Sequence, residues 1–181
     1  MAYDKNTRYE VLCEDRQMQC FLRYFLQVHG ANHRRIFFHR MAMGEGCGEE
    51  RVRQEYPRLV QILRARRGQN VIGLVCIDAD ICTLQKRVQQ LQEACKQQGV
   101  TTSEQEKIIK FIPKRNIETW INWYDGVDGV DEETIYPHNR GEESTCKPAA
   151  EKMAWDFKNG QVTEDVLPSI CFAYNEYCRC L

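Results

Sequence analysis

The 181-residue sequence contains no Cys-x-x-Cys pair, no Gly-x-x-x-x-Gly-Lys-Ser/Thr phosphate loop and no apolar run approaching the roughly 20 residues that cross a bilayer. The first absence argues against a zinc site of paired thiolates, the second against an ATPase segment in this chain, the third against a membrane-spanning helix. The opening residues, Met1-Ala2-Tyr3-Asp4-Lys5, lack the apolar stretch of a signal peptide, so the expected compartment is the cytoplasm, with no membrane partner. Net charge is missing too. The 25 Lys and Arg oppose 26 Asp and Glu, which excludes a wholly basic nucleic-acid coat but not local patches. With 43% hydrophobic residues and a mean hydropathy of -0.59, a chain of this length suits one substantial core and is short for two.

What is abundant is cysteine, ten in all. Without an export signal these read as reduced thiols rather than a disulfide framework. Cys13 and Cys76 sit inside apolar runs, where a thiol packs as a small hydrophobe, and only Cys178 and Cys180 lie close together. Core and surface packing is the expected role, with zinc or redox chemistry the alternative.

Short apolar runs alternate with longer segments of helical period, the pattern of a mainly parallel four-stranded sheet flanked by helices. Strands are expected at Arg8–Cys13, Arg35–Met41, Val71–Ile77 and Lys107–Ile112. The third lacks alternation, as a strand buried on both faces does. Between them, Met18, Phe21, Leu22, Phe25 and Leu26 mark one helix, Val52, Tyr56, Leu59 and Leu63 a second, and Leu84, Val88, Leu91 and Cys95 a third. Asn116 is placed to cap a short helix bearing Ile117, Trp120, Ile121 and Tyr124. The expected organisation is an α/β domain over residues 1–124, an exposed and partly mobile acidic loop over 125–145, and a helical extension over 146–181 packed on the same domain.

Ligands of an open parallel sheet bind beyond the carboxyl ends of its strands. Glu14 follows the first strand; Asp78 and Asp80 follow the third as Asp-Ala-Asp, where period two directs both to one side if the chain stays extended. If those strands are neighbours, three carboxylates converge, and such hard oxygen ligands suit Mg²⁺ or Mn²⁺ for the cleavage of a phosphate ester. No Lys or Arg stands beside Asp78 and Asp80 in the sequence. The plainer alternative is that each acid is a helix cap or a solvated charge, Asp80 capping a helix that starts near Ile81.

Glu14 after strand one, the Gly-containing turn Gly44–Gly48 after strand two, Asp78 and Asp80 after strand three, and Asn116-Ile117-Glu118-Thr119-Trp120 together resemble the Toprim domain over roughly residues 8–124. The resemblance is closest to the small stand-alone Toprim-like proteins of bacterial antiphage defence loci, of the OLD-nuclease and RloB-like kinds. It implies a Toprim-like Rossmannoid fold and a Mg²⁺- or Mn²⁺-dependent endonuclease acting on DNA or RNA, an effector of a defence or toxin system. It also implies Glu14 as general base or metal ligand, Asp78 and Asp80 as metal ligands and Glu118 as an accessory acid. Asp15 stands where the family commonly has glycine. With no ATPase segment in the chain, nucleotide-driven control would come from a separate partner such as an ATPase.

Lys114 and Arg115 precede Glu118 and are candidates to hold a phosphate or a leaving oxygen, or else are solvated loop charges. From Arg34 to Arg67 nine arginines face four glutamates, so Arg51, Arg53 and Arg58 are expected in a nucleic-acid track or on a solvated helix face. His29, His33, His39 and His138 share no ligand spacing and receive no role. The competing expectation is a non-catalytic Toprim-like subunit that regulates a defence complex, with the acidic loop and the C-terminal aromatics as contact surfaces; self-association is compatible with either. Asp-x-Asp also begins haloacid-dehalogenase phosphatases, but on the first strand and followed by Thr or Val, whereas Cys82 occupies that place here.

Overall fold

Arg8–Cys13 forms β1, Ile36–Phe38 β2, Val71–Cys76 β3 and Ile108–Phe111 β4, in a computed structural model that describes residues 6–39, 48–103, 105–138, 143–163 and 165–180. All four strands are parallel, in the order β2-β1-β3-β4. Parallel neighbours need long crossovers, and helices supply them: α1 (Arg16–Val28) leads from β1 to β2, α2 (Gly48–Ala65) to β3 and α3 (Leu84–Gln97) to β4. Then follow α4 (Ile117–Tyr124), α5 (Lys147–Asn159) and α6 (Pro168–Cys180). The chain is thus α/β with a Rossmann-like sheet and a C-terminal helical extension. No helix among the described residues is long and apolar enough to cross a membrane.

Period two sorts each strand between two cores. Tyr9, Val11 and Cys13 of β1 and Ile72, Leu74 and Cys76 of β3 pack with α1, α4, α5 and α6 on one face. Leu12, Val71, Val75 and Ile77 pack with α2 and α3 on the other. β3 is therefore buried along its whole length, as its unbroken apolar run requires. The β4 edge is covered by α6, whose Arg179 donates to the carbonyls of Ile108 at 2.7 Å and Glu106 at 3.1 Å. Trp120 Nε1 donates to Ser169 Oγ at 2.7 Å and joins α4 to α6. Of the nine described cysteines five are buried, and burial pushes the Cys13 and Cys76 thiols well up, which keeps them protonated.

Several local details differ from expectation. β2 is shorter than Arg35–Met41, because an Asn32-capped 3₁₀ turn, His33–Arg35, takes its start. Residues 40–47, including most of the glycine turn, lie outside the described residues; Gly48 opens α2. The inward stripe of α3 is rotated: Arg87 is buried with Leu91 and Cys95, while Leu84 and Val88 are only partly covered. Asn116 does not cap α4 through its side chain, which instead accepts from Thr119 Oγ1 and donates to the Tyr136 carbonyl. The described acidic segment is mostly exposed, yet tied down: Glu132 accepts from the Ser169 N–H at 2.8 Å, and Asp131 accepts from the N–H groups of Glu133 and Thr134.

Candidate functional site

The strand order reverses between β1 and β3. Crossovers leave on opposite faces there, opening a crevice beyond the strands' carboxyl ends. Glu14 and Asp78 stand on its two sides. Pairing with the β4 side continues past β3, with Ile77 N–H donating to Phe111 O at 3.1 Å and Ala79 N–H to Pro113 O at 2.8 Å. The intervening Asp78 N–H faces the other way, where β1 has ended. Glu14 Oε2 accepts it at 3.2 Å, so the carboxylate completes the ladder that the strand no longer provides.

Gly48 makes this arrangement fit. A Cβ at that position would lie 2.6 Å from Glu14 Cγ and 2.7 Å from its carbonyl oxygen, so only glycine lets the start of α2 close on Glu14. Burial, with repulsion from Asp80 and Asp15, pushes Glu14 up to about 7 against the pull of the Asp78 N–H and Arg87. Asp78 is 8% exposed, and burial beside Glu14, Asp15, Asp80 and Glu118 raises its pKa well above the usual carboxylate range. Its Oδ1 is buried with no hydrogen-bond partner. A buried carboxylate oxygen left alone is costly, and is the kind of donor that a hard cation satisfies. Asp15 caps α1 by accepting from the Met18 N–H at 2.8 Å.

Asp80 does not share the direction of Asp78. Its φ of 54° lies in the left-handed region, so the chain turns rather than staying extended. Its side chain, 52% exposed, meets Arg87 Nη2 at 3.2 Å. Arg87 is almost wholly buried and also bonds Glu49, Gln90 and the Ala79 carbonyl, supplying the cation that the sequence around Asp78 and Asp80 lacks. The reading of Asp80 as a helix cap is corrected as well: α3 starts three residues later than Ile81, and Thr83 caps it. Lys114 Nζ donates to the Cys82 carbonyl at 2.8 Å, and Arg115 reaches both the Asp80 carbonyl at 3.3 Å and Glu133 at 2.7 Å. Both are struts of the loop after β3 in this conformation. Of the three acids, Glu14 and Asp78 are brought together, and Asp80 is held apart from them by Arg87. Among the described residues no three His, Cys, Asp or Glu side chains are already grouped to hold an ion.

Compared with known proteins, the chain matches no family model, no curated protein and no solved structure. Its chemistry is therefore read from its own residues.

Glu118 lies in the first turn of α4 at the same end of the sheet and is 6% exposed. Burial raises its pKa, opposed by the Nδ1 of His138, which is bonded to its Oε1. A cavity of about 40 Å³ lined by Gln17, Glu118, Ile121, Asn122, Pro137 and Thr145 adjoins the pair. The arginines of α2 do not make one track. Arg51 and Arg58 are two turns apart on one side, whereas Arg53 lies about 200° further round. Arg53 pairs with Glu49 at 2.8 Å and Arg58 with Glu55 at 3.6 Å.

Sequence reasoning missed Arg87 and the role of His138, and named Gly48 as part of a turn without its close approach to Glu14. A charged residue on the inward stripe of α3 was the available signal for Arg87; His138 lies 20 residues from Glu118 with nothing in the spacing to link them.

Proposed function

We propose that this chain is a Toprim-type, Mg²⁺- or Mn²⁺-dependent nuclease hydrolysing phosphodiesters of DNA or RNA. The carrying observation is the unpartnered, buried Oδ1 of Asp78 beside Glu14 at the point where the strand order reverses. In this reading Glu14 and Asp78 would hold the cation, and Asp80 would become a third ligand on release from Arg87. The cation, when bound, would neutralise charge on the phosphate and acidify the attacking water. Burial between α2 and the loop after β3, with the Asp78 N–H bonded to its Oε2, keeps the Glu14 carboxylate oriented as a ligand. Arg115, beside the loop after β3, is a candidate phosphate contact on leaving Glu133, whereas Arg58 lies ten residues along α2 from Gly48, about 15 Å away, and would meet the nucleic acid only further out. In a cell the protein would act in the cytoplasm as an effector of antiphage defence or a toxin system, restrained by a partner such as a separate ATPase.

A second reading, a non-catalytic Toprim-like subunit of a defence complex, is favoured by the capture of Asp80 by Arg87. Incubation of purified protein with plasmid, single-stranded DNA and tRNA in Mg²⁺, Mn²⁺ or chelator separates the two. The nuclease reading expects metal-dependent cleavage by wild type and none by Asp78→Asn; equal cleavage by both proteins, or by neither, contradicts it.

A further inference from the structure

Three successive contacts fasten the segment after α4 across the corner between β4 and α4. Arg115 holds Glu133 at 2.7 Å, Asn116 Nδ2 donates to the Tyr136 carbonyl at 2.7 Å, and Glu118 holds His138. Tyr136 Oη in turn accepts from the Asp131 N–H at 3.0 Å, closing the segment on itself. Arg115 also bonds the Asp80 carbonyl, so the strap and the loop after β3 share one anchor. His138 is thereby brought to the end of the sheet that carries Glu14 and Asp78.

Its two ring nitrogens have different fates. Nδ1 is taken by the buried carboxylate of Glu118, an acceptor that fixes the proton on that nitrogen and the plane of the ring. Nε2 has no partner among the described residues, and the side chain is 32% exposed. A Lys or Arg would neutralise Glu118 permanently; an imidazole held by a carboxylate is the arrangement that passes a proton from its outer nitrogen.

We propose that His138, positioned by Glu118, is the proton donor to the leaving oxygen of the phosphodiester; this rests on the hydrolase reading above. The water oxygen bonds to phosphorus as the bond from phosphorus to the leaving oxygen breaks. The electron pair of the broken bond stays on that oxygen, which takes the Nε2 proton of the His138 imidazolium and leaves a neutral ring with its remaining proton on Nδ1, toward Glu118. The proton lost by the water passes to solvent, from which His138 is reprotonated, so the net reaction is one ester and one water giving an alcohol and a phosphate monoester.

Proton donation matters only when the leaving group is a poor one. The test therefore compares two Mn²⁺-supported reactions: cleavage of an oligonucleotide, and release of p-nitrophenolate, which leaves without a proton, from thymidine 5′-p-nitrophenyl phosphate. Wild type, His138→Gln, His138→Ala and Glu118→Gln are assayed on both, with thermal melting alongside. The His138 variants should lose about 10²- to 10³-fold on the oligonucleotide and less than about threefold on the nitrophenyl ester; Glu118→Gln should show the same pattern, weaker. Equal losses on both substrates would mean that His138 serves the fold or the cation site, and no loss on either would mean that it is idle; each overturns the proposal. If wild type cleaves neither substrate, the hydrolase reading fails and takes this inference with it, an outcome distinct from the other two.

Discussion

Replacing Glu14 by Gln should stabilise the metal-free protein at alkaline pH. Gln keeps an oxygen to accept the Asp78 N–H, so the hydrogen bond at 3.2 Å survives while the charge is lost. In the folded chain Glu14 titrates at about 7 against an ordinary 4.5. A raised folded pKa means that the protonated form favours folding: its contribution is full below pH 4.5 and lost as pH rises through 7. At about 1.4 kcal/mol per pH unit, ionising Glu14 costs the wild-type fold about 3 kcal/mol once the pH is above 7. Glu14→Gln escapes that loss. In a chain of this size the difference amounts to roughly 6–12 °C in Tm at pH 8, shrinking to nothing near pH 4.5. Thermal melting by circular dichroism in EDTA, from pH 4.5 to 8.5, measures it. A variant no more stable than wild type at pH 8, or a difference that does not change with pH, would refute the assignment of Glu14 as a buried, strongly perturbed acid.

Other consequences concern its neighbours. Gly48→Ala should lose about 1–3 kcal/mol in urea unfolding, because the added Cβ overlaps Glu14 backbone as well as side chain; unchanged stability would mean that α2 does not close on Glu14. Arg87→Met leaves Glu49 and Asp80 without their shared cation, and with Asp80 half-exposed the expected loss at pH 7 is about 2–4 kcal/mol. Denaturation of Arg87→Met at the wild-type midpoint would contradict the buried bridge.

The strands and their helices were legible in the sequence because burial imposes periodicity: the unbroken run through Val71–Cys76 and the three- and four-residue spacing from Met18 to Leu26 admit few other folds. The order of the strands was not. Hydrophobic pattern does not say on which side of β1 the third strand lies, and the meeting of Glu14 with Asp78 depends on that choice. Asp80 was misdirected by assuming extended backbone past β3, when the left-handed turn at Asp80 and the pull of Arg87 send its side chain elsewhere. The Glu118–His138 pair was invisible for a different reason: it is made by a strap whose course is set by hydrogen bonds from Arg115 and Asn116, and such contacts leave no periodic trace.

The central claim is that Glu14 and Asp78 together hold a divalent cation. Calorimetric titration of the protein with Mn²⁺ at pH 6.5, repeated in buffers of different ionisation enthalpy, tests it most directly, because ligands that hold protons must release them on binding. The account predicts saturable binding by wild type with net proton release, abolished in Asp78→Asn. Absence of binding, or identical binding and proton release in wild type and Asp78→Asn, would contradict it.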